Sequence, residues 1–264
     1  MQVGAYEWRA PSRDHMLETQ DLTIRFGGHA AVDGVSCTFR PGTLTSIVGP
    51  NGAGKTTYFN LISGQLPATS GRVKLNGEDI TRYAAPHRTR LGLGRAFQLT
   101  NLFPNLTALE NVRLAVQATS GKGLDLLSRT LGHRELIDRA MEHLAAVSLA
   151  DRARAVAATL PHGDQRKLEV AILLALEPDV FMFDEPTAGM SIDEVPTVLD
   201  IIADIKQRAD KTILLVEHKM DVVRTLSDRI VVLHQGKLVA DGTPSEVITS
   251  DIVREAYLGG AAHG

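Results

Sequence analysis

Gly49-Pro50-Asn51-Gly52-Ala53-Gly54-Lys55-Thr56 is the stretch on which the reading of this chain turns. It fits the pattern Gly, four residues, Gly-Lys and Ser or Thr. The apolar run Leu44–Val48 precedes it, and a helical pattern through Tyr58, Leu61 and Ile62 follows. A strand, a glycine-rich loop and a helix in that order form a phosphate cradle. The glycines allow a tight turn that aims backbone N–H groups at phosphate oxygens, and the following helix points its positive end at the same charge. Lys55 is expected to reach the β- and γ-phosphates. Thr56 is expected to hold Mg2+ through its hydroxyl, and Thr57 to contact the α-phosphate.

Outward from this loop, further runs read as strands buried on both faces of a parallel sheet: Val180–Phe183, Thr212–Val216 and Ile230–Leu233. Leu17–Phe26 and Ala31–Phe39 alternate more and read as an antiparallel pair joined through Gly27–Gly28. Val73–Leu75 with Asn76–Gly77 adds a strand and turn. Between about Leu106 and Leu149 the period is helical, broken by loop residues at Ser120–Gly123. Leu136, Ala140, Leu144 and Val147 share one face there. Leu168, Ala171, Ile172 and Ala175 share a face of the next helix. The expected architecture is an α/β P-loop NTPase (RecA-like) core with a mixed or parallel sheet, an antiparallel β subdomain and a helical insert. The expected division is one domain over 16–264, with a catalytic core at 16–98 and 179–264 and a helical part at 99–178. Residues 1–15 read as an irregular, poorly ordered extension.

Phe181-Met182-Phe183-Asp184-Glu185 is an apolar strand ending in two acids. Ligands of parallel α/β sheets bind at the carboxyl ends of strands. Asp184 is therefore placed to orient Mg2+, and Glu185 to act as general base on an attacking water. An acidic helix start is the competing reading of the pair, and the phosphate loop favours the catalytic one. A second strand ends at Glu217-His218, where His218 can donate a hydrogen bond to a γ-phosphate.

Composition narrows the class. The 264 residues are 44% hydrophobic and 22% charged, with a formal net charge of −3. Nothing in that balance calls for a nucleic-acid partner. The single cysteine, Cys37, suits a reducing compartment and reads as a small buried hydrophobe. No apolar run reaches the ~18 residues of a membrane span, so a cytosolic location is expected, with any membrane role borrowed from a partner.

Taken together, these motifs resemble the nucleotide-binding subunit of an ABC transporter, over about Leu17 to Gly259. Phe26 matches the aromatic that stacks on adenine in that family. Gln98, within Ala96-Phe97-Gln98, matches the glutamine that links Mg2+ and nucleotide to the membrane subunit. Leu160-Pro161-His162-Gly163-Asp164-Gln165 sits where the signature motif belongs, and His218 matches the switch histidine. Three segments, Gly94-Arg95-Ala96-Phe97-Gln98, Asp184-Glu185-Pro186-Thr187-Ala188-Gly189-Met190 and Ala256-Tyr257-Leu258-Gly259, are similar to the branched-chain amino-acid, urea and amide uptake group. A lipopolysaccharide-export ATPase with a similar Tyr-Leu-Gly ending is the nearest rival.

The resemblance implies ATP and Mg2+ as ligands and a head-to-tail dimer with a second ATPase subunit, identical or different. It also implies transmembrane permease subunits that hold the chain at the cytoplasmic face of the membrane, and indirectly a solute-binding protein. Leu102, Phe103 and Leu106 are candidates for the permease contact or for plain core packing. Two departures matter. Pro161 replaces the signature serine and His162 the first glycine, which removes a hydrogen bond worth about 1.5–3 kcal/mol to the γ-phosphate of the opposite subunit. Gly163 can still offer its N–H there, and Pro161 suits a helix start. Ser191 stands where an aspartate is usual. A non-hydrolysing regulatory binder and a soluble ABC ATPase acting on DNA or ribosomes are the competing classes. A switch GTPase would need a guanine-reading Asn-Lys-x-Asp segment, which the sequence lacks.

Overall fold

The computed structural model describes residues 16–96, 102–120 and 131–250, with only the backbone at 131–133. Alternating apolar residues fold the amino-terminal part into a long antiparallel pair, β1 (Leu17–Phe26) and β2 (His29–Phe39). β1 pairs on its other side with β4 (Ser70–Leu75), which turns through Asn76 and Gly77 into the short β5 (Glu78–Asp79). This antiparallel sheet runs β2-β1-β4-β5.

The second sheet is the catalytic one. Its order is β10 (Lys237–Gly242), β9 (Arg229–His234), β3 (Leu44–Val48), β8 (Thr212–Val216), β7 (Val180–Asp184) and β6 (Leu93–Ala96). All neighbours are parallel except the edge pair β10–β9. β3, β7 and β8 are buried at every position, as their unbroken apolar runs require. The α/β class read from the sequence is the class observed. In this sheet the sequence pattern does not announce β6, where Gly94 and Arg95 interrupt the apolar run, or β10, a partly exposed edge strand.

Between the sheets lies one core that includes Tyr58, Phe59 and Ile62 of α1 (Lys55–Ser63) together with Leu22, Val35, Met182 and Leu214. A larger core joins the other face of the catalytic sheet to α3 (Ala108–Thr119), α4 (Leu131–Ala146), α5 (His162–Ala175) and α6 (Val195–Gln207). Ala140, Leu144 and Val147 are fully buried in it, with Leu136 at its edge, as their shared face predicts. Cys37 is buried in β2. Arg88 of α2 (Ala85–Arg90), itself buried, donates to the carbonyls of Leu61 and Ile62 and so ties off the end of α1.

Candidate active site

Strand β3 delivers the phosphate loop. Gly49, Gly52 and Gly54 all have positive φ, of 153°, 78° and 97°. A Cβ on Gly49 would run into the carbonyl oxygen of Leu233, so only glycine lets the loop lie against β9. Pro50, Asn51 and Ala53 complete the turn, closed by Ala53 N donating to Pro50 O (3.1 Å). α1 then begins at Lys55, with Gly54 at its cap and no side chain satisfying the first N–H groups. That open helix start is a ready anion site. Lys55 folds back, its Nζ donating to Gly49 O (2.6 Å) and Pro50 O (3.0 Å). Thr56 is exposed and Thr57 half-buried on the first turn.

The parallel register sets the acids beside this loop. β7 ends on Asp184 and β8 on Val216, paired in register. Burial lowers the Lys55 pKa, and the nearby charges of Glu185 and Asp184 oppose that shift, so loop and acids share one field. Asp184 is buried, which raises its carboxyl above the ordinary range, partly offset by Arg95. Arg95 Nη2 donates to Asp184 Oδ2 at 2.7 Å. Its Nη1 donates to Asn60 Oδ1 and Ser63 Oγ, both at 2.8 Å, and its guanidinium lies 5.4 Å from the Phe59 ring centre. Burial pushes the Arg95 pKa down to about 10. Glu185 has a φ of 49°, uncommon for a residue with a side chain. Its carboxylate is 42% exposed, and His218 Nδ1 lies 3.8 Å from its Oε1.

Hard oxygen donors suit Mg2+. The Thr56 hydroxyl and the Asp184 carboxylate are donors of that kind, and Mg2+ usually completes its shell with water and substrate phosphates. The residues present therefore fit that ion. Phe26 ends β1, about half exposed, opposite His29 in the hairpin. A Cβ on Gly54 would meet the carbonyl oxygen of Ala31 in β2, so this hairpin backs the phosphate loop.

The signature segment approaches the turn after β7 through His162, whose ring a Cβ on Gly189 would meet at 3.3 Å. Pro161 caps α5 with an extended backbone (φ −53°, ψ 154°), and His162 is its first residue. Gly163 is buried against the Glu194 carboxylate, which accepts from Ser191 N (3.0 Å) and Oγ (2.9 Å). Thus Ser191, Glu194 and Gly163 form one patch. Gln98 and the Ala256-Tyr257-Leu258-Gly259 ending lie outside the described residues. Among the contact candidates, Phe103 is exposed while Leu102 packs on the helical core.

Sequence reasoning quoted Arg95, Thr187 and Glu217 within motifs but gave them no role. The available signals were an arginine inside a sheet strand and an acid directly before His218.

The chain is similar to known proteins over most of its length. A family model described as ABC transporter matches residues 32–188. A second, described as branched-chain amino acid ATP-binding cassette transporter, matches residues 237–263. The chain is 39% identical to the high-affinity branched-chain amino acid transport ATP-binding protein BraF of Pseudomonas aeruginosa, over 93% of this chain and 98% of that one. It is 38% identical to LivG of Salmonella typhimurium, a protein of the same description, with the same coverage. The crystal structure of the ADP conformation of MJ1267, an ATP-binding cassette of an ABC transporter, superposes with a TM-score of 0.78 at 29% identity, over 92% of this chain and 98% of that one.

Proposed function

Because this chain belongs to the ATP-binding subunits of ABC transporters, and so binds and hydrolyses ATP, we propose that it energises uptake of branched-chain amino acids or related small polar solutes. The observation that carries the solute class is the agreement of the carboxy-terminal family match at 237–263 with the relatives' descriptions. Among the described residues no helix is long and apolar enough to cross a membrane. Transmembrane permeases would therefore supply the passage and hold the chain at the cytoplasmic face, with a solute-binding protein choosing the cargo.

The proposed site works as follows. Phe26 stacks on the adenine. The backbone from Gly49 through Gly54 and the start of α1 embrace the phosphates. Lys55 leaves the carbonyls of Gly49 and Pro50 for the β- and γ-phosphate oxygens, and Thr57 contacts the α-phosphate. Thr56, Asp184 and Gln98 would hold Mg2+, which when bound neutralises charge on the β- and γ-phosphate oxygens. Glu185 takes a proton from water as its oxygen bonds to the γ-phosphorus and the bridging oxygen leaves with ADP. His218 donates to the γ-phosphate oxygens from the neighbouring strand end. A second ATPase subunit would bring its own Pro161 and Gly163 over this nucleotide. Binding on both surfaces favours the closed dimer, and loss of the γ-phosphate releases it.

Glu185→Gln should bind ATP as the parent does while turnover collapses. Parent-like turnover would refute the general-base assignment. Uptake of labelled leucine by cells carrying only Glu185→Gln should be lost, and undiminished uptake would refute the solute class.

A further inference from the structure

Strand β8 ends at Val216, and the side chain of Glu217, 0% exposed, turns inward. Its carboxylate accepts three hydrogen bonds. Thr187 Oγ1 donates to Oε1 at 2.6 Å. The backbone N–H groups of His218 and Lys219 donate to Oε2 at 2.9 and 3.1 Å. Thr187 is buried and belongs to the turn that follows β7. That turn begins with Glu185 in its left-handed conformation, held by Glu185 N donating to Val216 O (2.9 Å) and Glu185 O accepting from Ala188 N (3.0 Å).

The ladder between β7 and β8 stops at Asp184–Val216, one residue before Glu185 and two before His218. Beyond it, the main-chain bond at Glu185 and the Thr187–Glu217 side-chain bond join the turn to the loop, with a longer contact from Lys219 Nζ to Thr187 O at 3.5 Å. A strained residue persists only where its surroundings over-determine it. Hydrogen bonds to a buried carboxylate are short and strong. We propose that Glu217, through Thr187, is a positioning residue that sets the Glu185 carboxylate against the His218 ring. This rests on the reading of Glu185 and His218 as the hydrolytic pair. Both their side chains are about half exposed, and His218 Nδ1 lies 3.8 Å from Glu185 Oε1 and 3.8 Å from Glu217 Oε2. The phosphate-binding groups sit on β3 and α1, and the clamp bonds none of them.

The purified chain tests this. Thr187→Val keeps shape and burial but removes the donor. Its kcat for ATP should fall about tenfold or more while KM stays within about twofold, as expected for misplaced reacting groups. Thr187→Ser keeps the hydroxyl and should recover most of the parent kcat. Glu217→Gln offers one acceptor oxygen to three donors and should also lower kcat at constant KM. Parent-like kcat in both Thr187→Val and Glu217→Gln overturns the proposal. So does a loss in Thr187→Val that Thr187→Ser fails to recover, or one matched by weaker ATP binding. If Thr187→Val melts below the assay temperature, Glu217→Gln decides alone. Glu185→Gln assayed alongside keeps the two levels apart: normal turnover there sinks the hydrolytic pair itself, whatever Thr187 does.

Discussion

Replacing Arg95 by Met tests what holds the Asp184 carboxylate in place. Arg95 and Asp184 form an ion pair at 2.7 Å, with side chains only 6% and 7% exposed. Burial raises the Asp184 carboxyl and pushes the Arg95 guanidinium down to about 10. Both shifts point toward the neutral forms, so removal from water outweighs mutual attraction for each partner. Such a pair adds little net stability over an apolar one, yet removing one member strands the other. Arg95→Met fills most of the arginine stem and leaves Asp184 buried without its cation, which should destabilise the fold by about 3–5 kcal/mol. At this chain length that corresponds to a fall in melting temperature of about 6–20 °C. Adding Asp184→Asn to Arg95→Met should restore part of the loss, because no buried charge is left unpaired. The sign with pH follows. An acid whose folded pKa lies above its unfolded value binds more protons when folded, so its penalty shrinks as pH falls. The gap between parent and Arg95→Met should therefore narrow as the pH falls from about 8 to about 5. The assay is urea denaturation of the three variants and the parent at both pH values. A loss below about 1 kcal/mol in Arg95→Met, or a double mutant additive within about 0.5 kcal/mol, would refute the reasoning.

Three further outcomes are expected. Gly49→Ala should abolish nucleotide binding, because its Cβ meets the rigid backbone carbonyl of Leu233; retained binding of a fluorescent ATP analogue would show that the loop can move. Gly163→Ala should leave the melting temperature nearly unchanged, because the nearest atoms its Cβ meets are the far end of the Glu194 side chain, and a large drop by calorimetry would show that Glu194 is fixed. His143 is held below its ordinary pKa by burial and then by Arg139, so the unfolded chain takes up that proton first and stability falls as pH drops below about 6.5. His143→Gln should flatten that dependence in melting curves between about pH 7.5 and 5.5, and an identical slope would assign it elsewhere.

The phosphate loop, the four strands at the site and the acid pair were legible because each depends on neighbours in sequence. A run buried on both faces must be apolar at consecutive positions, and a loop that wraps phosphate needs glycine at fixed offsets. The helix faces were legible for the same reason, in the period of Ala140, Leu144 and Val147. Strand β6 was not. Its Arg95 looks like a solvated side chain, and only the packing of β7 and α1 around it supplies Asp184, Asn60 and Ser63 as partners. Glu217 was hidden likewise. Its Thr187 partner lies thirty residues away in the chain, and the parallel register of β7 with β8 brings the two together. Sequence alone thus determined the α/β class and the family's ordered motifs, since those residue types and spacings are local. Tertiary structure decided which buried charges hold them in place, since a charge is stable inside a protein only beside partners that distant parts of the chain bring to it.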